Sequence, residues 1–373
     1  MKTILTLSRY IVGILFIFSG LVKANDPLGL SYKMQEFFEV WGLHGLNDFT
    51  LAFSILMIAF EIIAGVAVII GWQMRLFSWL LLLLIVFFTF LTAYALFSGK
   101  IKSCGCFGDC LPLTAAQSFM KDLLLLALIG LLFANRNRIQ TSMDTRRSVL
   151  LLGLTTLFSF GFQWYVLRHL PVVDCLPYKK GKQIAEQMKI PAGSIPDSTV
   201  ISFVYKKDGK ELEFTADKFP ADFDESTYSF VKRYDKVIRK GNAEPPIKDF
   251  VLLAPSGNDT TQALLAEPGI KQWLFIKEVR EGDRESLTET IRQMKEIAVA
   301  KNMPLFIITP AAEQVIGSLG SVLDGVLVLR SDAVAVKTAA RHSSTIYLIN
   351  QGVIVDKWSL PDSDKAIQQM QKM

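Results

Sequence analysis

The stretch Phe49-Thr-Leu-Ala-Phe-Ser-Ile-Leu-Met-Ile-Ala-Phe-Glu-Ile-Ile-Ala-Gly-Val-Ala-Val-Ile-Ile-Gly71 decides the fold. It is apolar on every face, and Glu61 is its one ionisable residue. A hydrocarbon core of about 30 Å is crossed by roughly 20 such residues as a helix, since every backbone polar group must be paired within the segment. Four further stretches share the pattern: 4–22, 76–97, 118–134 and 149–170. The fourth span, 118–134, is the shortest and carries Lys121 and Asp122 near its start. Arg9 interrupts the first apolar run and four spans follow it, so that run is expected to be a retained helix rather than a cleaved signal peptide.

Composition agrees with a membrane part followed by an aqueous part. The chain has 373 residues, 51% of them hydrophobic, and a mean hydropathy of +0.33. Its long apolar runs lie before residue 171. The expected organisation is a four-helix bundle over 1–134, a basic loop and fifth helix over 135–170, a linker and strand-rich segment over 171–271, and an α/β domain over 272–373. Net charge is +5, much of it in short loops beside apolar spans, where it reports topology. No basic stripe interleaved with aromatics and no phosphate-cradling glycine loop occurs, so no nucleic-acid partner is expected.

Lysine and arginine in the short loops set the orientation. One side carries Lys2, Arg9, Arg75, Arg136, Arg138, Arg146 and Arg147, against Lys23, Lys33, Lys100 and Lys102 on the other. A cytoplasmic N-terminus follows, and five spans then deliver the C-terminal domain to the opposite side. In a bacterium this means the inner membrane, lipid as a partner, and a periplasmic domain.

All four cysteines fall on that outer side. Cys104, Cys106 and Cys110 lie in Ser103-Cys-Gly-Cys-Phe-Gly-Asp-Cys-Leu-Pro, and Cys175 lies in Val173-Asp-Cys-Leu-Pro-Tyr. Three readings remain open. In the first, loop cysteines alternate between dithiol and disulfide, with a third resolving the mixed disulfide. In the second, two bridges staple the loop and the Cys175 segment, as persists outside the cytoplasm. In the third, the four thiolates hold a metal, although C-x-C departs from the usual C-x₂₋₄-C spacing.

The first four spans resemble the DoxX/MauE family of small four-helix membrane proteins. The resemblance rests on Phe18-Ser-Gly-Leu-Val-Lys23, Asp26-Pro-Leu-Gly29, Glu61-Ile-Ile-Ala-Gly65 and above all Ser103-Cys-Gly-Cys-Phe-Gly108. It covers about residues 4–134. The MauE branch is associated with thioredoxin-like partners and disulfide formation in periplasmic proteins, the DoxX branch with quinone-linked sulfur oxidation. The resemblance thus implies redox use of Cys104, Cys106, Cys110 and Cys175, a quinone as electron sink and a periplasmic protein partner. It assigns no cofactor-binding residue.

Glu61 sits mid-span, where a carboxylate is costly and faces the bundle interior with a partner. Two readings stand beside each other: a proton acceptor for thiol or quinone chemistry, and a carboxyl bonded to a neighbouring helix for cohesion. Lys23, Lys121, Asp122, Arg168 and His169 fall near the outer interface and are expected to snorkel or pair. His44 lies in the outer loop, beyond the amphipathic segment 32–41, and reads as an interfacial residue.

In the C-terminal half, 199–205 and 211–215 flank Asp208-Gly209 as a hairpin. A helix or loop region is expected next, then a strand over 250–253 after Pro245-Pro246. From 272 the pattern becomes strand 273–279, helix 284–301, strand 304–309, a short helix, strand 325–329, strands 345–349 and 353–358, and a last helix. This order resembles a thioredoxin fold, with Lys337-Thr-Ala-Ala-Arg-His-Ser-Ser-Thr-Ile-Tyr-Leu-Ile similar to its substrate-binding turn. The chain departs from that family where thiol chemistry requires residues. Arg280-Glu-Gly-Asp-Arg-Glu285 stands in place of C-x-x-C, and Ser343-Ser344 in place of the cis-proline. A domain that binds or positions a partner without exchanging thiols is expected. Two functions follow: a membrane thiol–disulfide oxidoreductase, and a non-enzymatic envelope scaffold with structural disulfides.

Overall fold

The structure is a computed structural model describing residues 2–373 apart from 102–104, 106, 197, 216–217, 221–222, 225, 240 and 242, with backbone alone for 236–239. Cys104 and Cys106 therefore lie outside the described residues. Helices α1 (Lys2–Ala24), α2 (Pro27–Val40), α3 (Thr50–Ile70), α4 (Met74–Ser98), α5 (Ala115–Ala134) and α6 (Thr145–His169) form the N-terminal part. Five of these are long and apolar enough to cross a membrane, α3 together with the turn that begins at His44. The short α2 is the exception. It starts on Pro27 after an Asp26 cap whose carboxylate accepts from Gly29 N–H, and its Phe37 packs against Trp41 with the rings tilted.

Small residues let α1 and α3 approach closely, as in helix pairs packed within lipid. A Cβ on Gly65 would sit 2.8 Å from the Gly13 carbonyl oxygen, and one on Gly13 would sit 2.7 Å from that of Gly65. At the far end of this pair, Arg9 donates to the Val68 and Ile69 carbonyls at 3.1 and 2.7 Å. These are carbonyls of the last turn of α3, where a cation completes the helix. Helix α5 begins three residues before the expected 118, because Thr114 and Gln117 form a reciprocal capping box. Lys121 and Asp122 consequently lie in the second turn of the helix rather than its first.

Beyond α6 come α7 (Ile184–Gln187) and the strands β1 (Ser198–Lys207), β2 (Lys210–Thr215) and β3 (Ser229–Arg239), paired antiparallel in the order β2-β1-β3. The hairpin agrees with expectation, but β3 occupies part of the expected helix or loop region. Its sequence, Ser-Phe-Val-Lys-Arg-Tyr-Asp-Lys-Val-Ile-Arg, carries charges on an exposed edge strand and so lacks an apolar face to announce it. The expected strand 250–253 is a correction in the other direction. That segment keeps single bridges through Leu253 and buries Phe250 and Leu252 as an extended plug beneath the next sheet.

The remaining elements are α8 (Thr261–Ala266), β4 (Ile270–Ile276), α9 (Arg284–Lys301), β5 (Leu305–Thr309), α10 (Ala312–Leu319), β6 (Leu327–Arg330), α11 (Ala333–Ala339), β7 (Ser344–Asn350), β8 (Val353–Ser359) and α12 (Ser363–Lys372). Their sheet runs β6-β5-β4-β7-β8. β4, β5 and β6 are parallel, and β7 is antiparallel to both β4 and β8. Alternation sends Leu274 and Ile276 to one core with α9 and α12, and Trp273 and Phe275 to the other with α11 and Phe250. Burying both faces explains why residues 273–276 of β4 read as a continuous apolar run.

Candidate functional site

A cavity of about 460 Å³ lies among α1–α5 beneath the α4–α5 loop. Phe16 and Leu15, Phe37 and Trp41, Phe60, and Phe88 supply its apolar wall, and Gly105 and Phe107 of the loop reach it from above. Phe53, Leu56 and Phe87 line it and are also 42%, 57% and 43% exposed on the outside of the bundle. The cavity therefore has a lateral wall at the level of the spans as well as a roof formed by the cysteine loop.

Ser19, Lys23, Lys33, Glu61 and Lys121 bring polar groups to this apolar space. Glu61 Oε1 lies 2.5 Å from Lys23 Nζ, with side-chain exposures of 1% and 4%. Ser19 Oγ donates to Glu61 Oε2 at 3.1 Å, and the Lys23 ammonium stands 5.0 Å from the Phe88 ring centre. Lys121 lies 5.3 Å from the Phe107 ring centre and 2.5 Å from Asp122, which also accepts from Thr92. Lys23 and Asp122 are buried and paired, the second of the two outcomes expected from sequence. The bundle supplies each with an opposite charge, so the desolvated ion need not reach water.

Cys110 and Cys175 are joined, with Cα atoms 4.8 Å apart across 65 residues of sequence. The bridge ties the loop between α4 and α5 to the segment after α6. It also withdraws two sulfurs from the four-thiolate metal reading. Asn25 reinforces the same junction, donating to the Val173 carbonyl at 2.8 Å and accepting from Val173 N–H at 2.9 Å.

The α/β region sits on this rim through charges. Arg341, immediately ahead of β7 and 5% exposed, places Nε 2.8 Å from Asp26 and Nη2 2.9 Å from Asp109. Its guanidinium lies 5.4 Å from the Tyr32 ring centre, and Lys277 Nζ is 3.2 Å from the Tyr32 hydroxyl. Burial raises the Tyr32 phenol to about 12 and, with Arg280 and Arg341 nearby, lowers the Lys277 ammonium to about 7. Burial also pushes the Asp26 carboxyl up, against the pull of Arg341. Lys357 on β8 meets Asp174 at 2.8 Å, and His169 at the end of α6 meets Asp362 at 2.8 Å.

Two loops singled out in the sequence meet at the same face. Ser343 Oγ donates to Asp283 Oδ2 at 2.7 Å, joining the turn ahead of β7 to the turn ahead of α9. Burial lowers the His342 imidazole beside them. Of the expected site residues, the structure brings Cys110 and Cys175 together and sets Glu61 on the cavity wall beneath Gly105. Sequence reasoning missed Asp109, Asp174, Arg341 and Lys357. A signal for the first two exists, since Asp-Cys-Leu-Pro occurs at both 109–112 and 174–177.

The model of the family described as methylamine utilisation protein MauE matches residues 1–135, just over a third of the chain. A domain of unknown function, DUF8463, matches residues 199–240, the three-stranded sheet. No curated protein and no solved structure matches. The chain is a membrane protein of five apolar helices and a mixed α/β region, and its first 135 residues are similar to MauE.

Proposed function

We propose that this protein is an inner-membrane thiol–disulfide oxidoreductase of the bacterial envelope, working on the periplasmic side and coupled to quinone. The observation that carries this reading is the cavity roofed by Gly105, the residue between Cys104 and Cys106, and walled by the buried Lys23–Glu61 pair. An apolar chamber with a lateral wall of outward-facing aromatics suits a lipid-soluble ring with an apolar tail. Bound there, a quinone would supply the electron sink: a dithiol becomes a disulfide, and its two electrons and two protons leave as quinol. Lys23 and Lys121 offer donors for ring oxygens, and Glu61 is placed to hold a proton at the chamber wall. Phe88 and Phe107 present faces on which a planar ring stacks.

The α/β region is read as thioredoxin-like from its β4-α9-β5 unit followed by the antiparallel β7–β8 pair and α12. Without C-x-x-C it carries no thiol of its own, so it acts by position. Thiols from a periplasmic protein would exchange with Cys104, Cys106 and Cys110 of the segment between α4 and α5 and with Cys175 after α6. The resemblance to DoxX/MauE proteins supports the same direction. A second reading, an envelope scaffold with structural disulfides, is favoured by the Cys110–Cys175 tie between loop and α6.

Alkylation trapping in cells separates the two. With the oxidoreductase, Cys104 and Cys106 change state between oxidising and reducing growth, and replacing them by serine abolishes function in a folded protein. With the scaffold, all four sulfurs hold one state under both conditions, and the serine variant keeps function.

A further inference from the structure

Both half-cystines sit in the same tetrapeptide, Asp109-Cys-Leu-Pro112 and Asp174-Cys-Leu-Pro177. In each, the aspartate ahead of the sulfur is held by a cation from the α/β region. Arg341 Nη2 lies 2.9 Å from Asp109, and Lys357 Nζ lies 2.8 Å from Asp174. The two cations are carried by neighbouring strands: Arg341 leads into β7, and Lys357 is on β8 opposite Tyr347. Each cation has a second anchor. Arg341 also binds Asp26 at 2.8 Å, and Lys357 donates to the Tyr178 carbonyl at 3.1 Å. The β7–β8 hairpin and the turn that leads into it thus grip the residue beside each sulfur, although neither sulfur belongs to them.

We infer that Arg341 and Lys357 are positioning residues that couple docking of the α/β region on the membrane bundle to the oxidation state of the Cys110–Cys175 pair. A disulfide forms more readily the longer its two sulfurs are kept adjacent after reduction. While both clamps hold, the loop after α4 and the segment after α6 stay side by side. When a clamp is lost the two segments separate, the effective concentration of one thiol for the other falls, and the bridge becomes easier to reduce. Linkage makes the effect reciprocal: closing the bridge strengthens docking by the same factor that docking strengthens the bridge. The exchange balances with a small thiol as reductant. The Cys110–Cys175 bond breaks, two reductant molecules join as a disulfide, and their two hydrogens end on the cysteine sulfurs. This coupling needs no quinone, so it stands or fails apart from the function proposed above.

The test uses the full chain in detergent micelles with Cys104→Ser and Cys106→Ser, equilibrated in glutathione buffers and read by alkylation mass shift. Arg341→Gln and Lys357→Gln are each expected to lower the equilibrium constant for closing the bridge about tenfold, a shift of about 30 mV toward easier reduction. Lys357→Arg, which keeps the charge on Asp174, is expected to stay near the parent. Asp109→Asn removes the same contact from the membrane side at a half-exposed carboxylate, and covers the case in which Arg341→Gln fails to fold. In the parent, reduction is expected to speed hydrogen exchange at 337–344. Equal constants in the parent, Lys357→Gln and Asp109→Asn would overturn the inference, as would a Lys357→Arg shift as large as that of Lys357→Gln.

Discussion

Removing either partner of the Lys23–Glu61 pair tests how the bundle is held around the cavity. Both side chains are nearly inaccessible, and their charged atoms lie 2.5 Å apart. Breaking a buried pair by deleting one partner costs about 3–5 kcal/mol, because the surviving charge stays desolvated. In Lys23→Met, Glu61 retains the Ser19 hydroxyl, and a hydrogen bond to a charged group is worth about 1.5–3 kcal/mol. The expected loss therefore falls at the low end, about 3 kcal/mol. In Glu61→Gln the Lys23 ammonium keeps the Phe88 ring, worth up to about 2 kcal/mol when desolvated, and a similar loss is expected. The double variant leaves no unpaired charge at this position and is expected to lose only about 1–2 kcal/mol, giving a coupling energy well above 2 kcal/mol. The assay is unfolding of the purified chain in mixed micelles of rising sodium dodecyl sulfate, followed by helical circular dichroism. Single variants within about 0.5 kcal/mol of wild type, or a double variant equal to the sum of its singles, would refute the reasoning.

Other outcomes follow from the same structure. Lys277 is lowered to about 7 in the docked protein and returns toward its ordinary 10.5 when exposed, so the unfolded state binds more protons between those values. Docking stability is expected to rise from pH 7.5 to 9.5 and to level off below 7; Lys277→Met should flatten that slope in a pH series of thermal melts, and an unchanged slope would count against the burial of Lys277 in the docked protein. Gly65→Val forces a Cβ to 2.8 Å from the Gly13 carbonyl and should destabilise the bundle by about 1–3 kcal/mol, read by the same detergent titration. Ser343→Ala removes the bond to Asp283 and should cost about 1 kcal/mol in the melting of the α/β region without altering the thiol state of Cys110 and Cys175 on non-reducing gels.

The membrane spans are legible in the sequence because lipid demands uninterrupted apolar helices, and 49–71 or 76–97 can satisfy that demand in no other way. The β4 to β8 order is legible for a related reason, since burial on both faces writes continuous apolar runs such as Trp273-Leu-Phe-Ile276. What escapes is everything decided by pairing across distance. Lys23 reads as an interfacial lysine, and its burial depends on Glu61 from another helix. Arg341 reads as part of a turn, and its role depends on Asp26 and Asp109, which lie more than two hundred residues away. The strand β3 escapes because its pattern is polar and its pairing with β1 is made by backbone groups. The 250–253 segment errs the opposite way: its local propensity suits a strand, and tertiary packing uses it as a plug.

The most direct measurement on the proposed quinone-coupled thiol chemistry is an anaerobic titration of dithiothreitol-reduced, purified full-length protein with a short-chain quinone, reading quinol by absorbance and Cys104 and Cys106 by alkylation mass spectrometry. One quinol is expected per disulfide formed in the wild type, with the rate reduced in Glu61→Gln and quinol absent in Cys104→Ser/Cys106→Ser. Quinol formation that is unaffected by loss of both cysteines, or thiols that stay reduced in excess quinone, would contradict it.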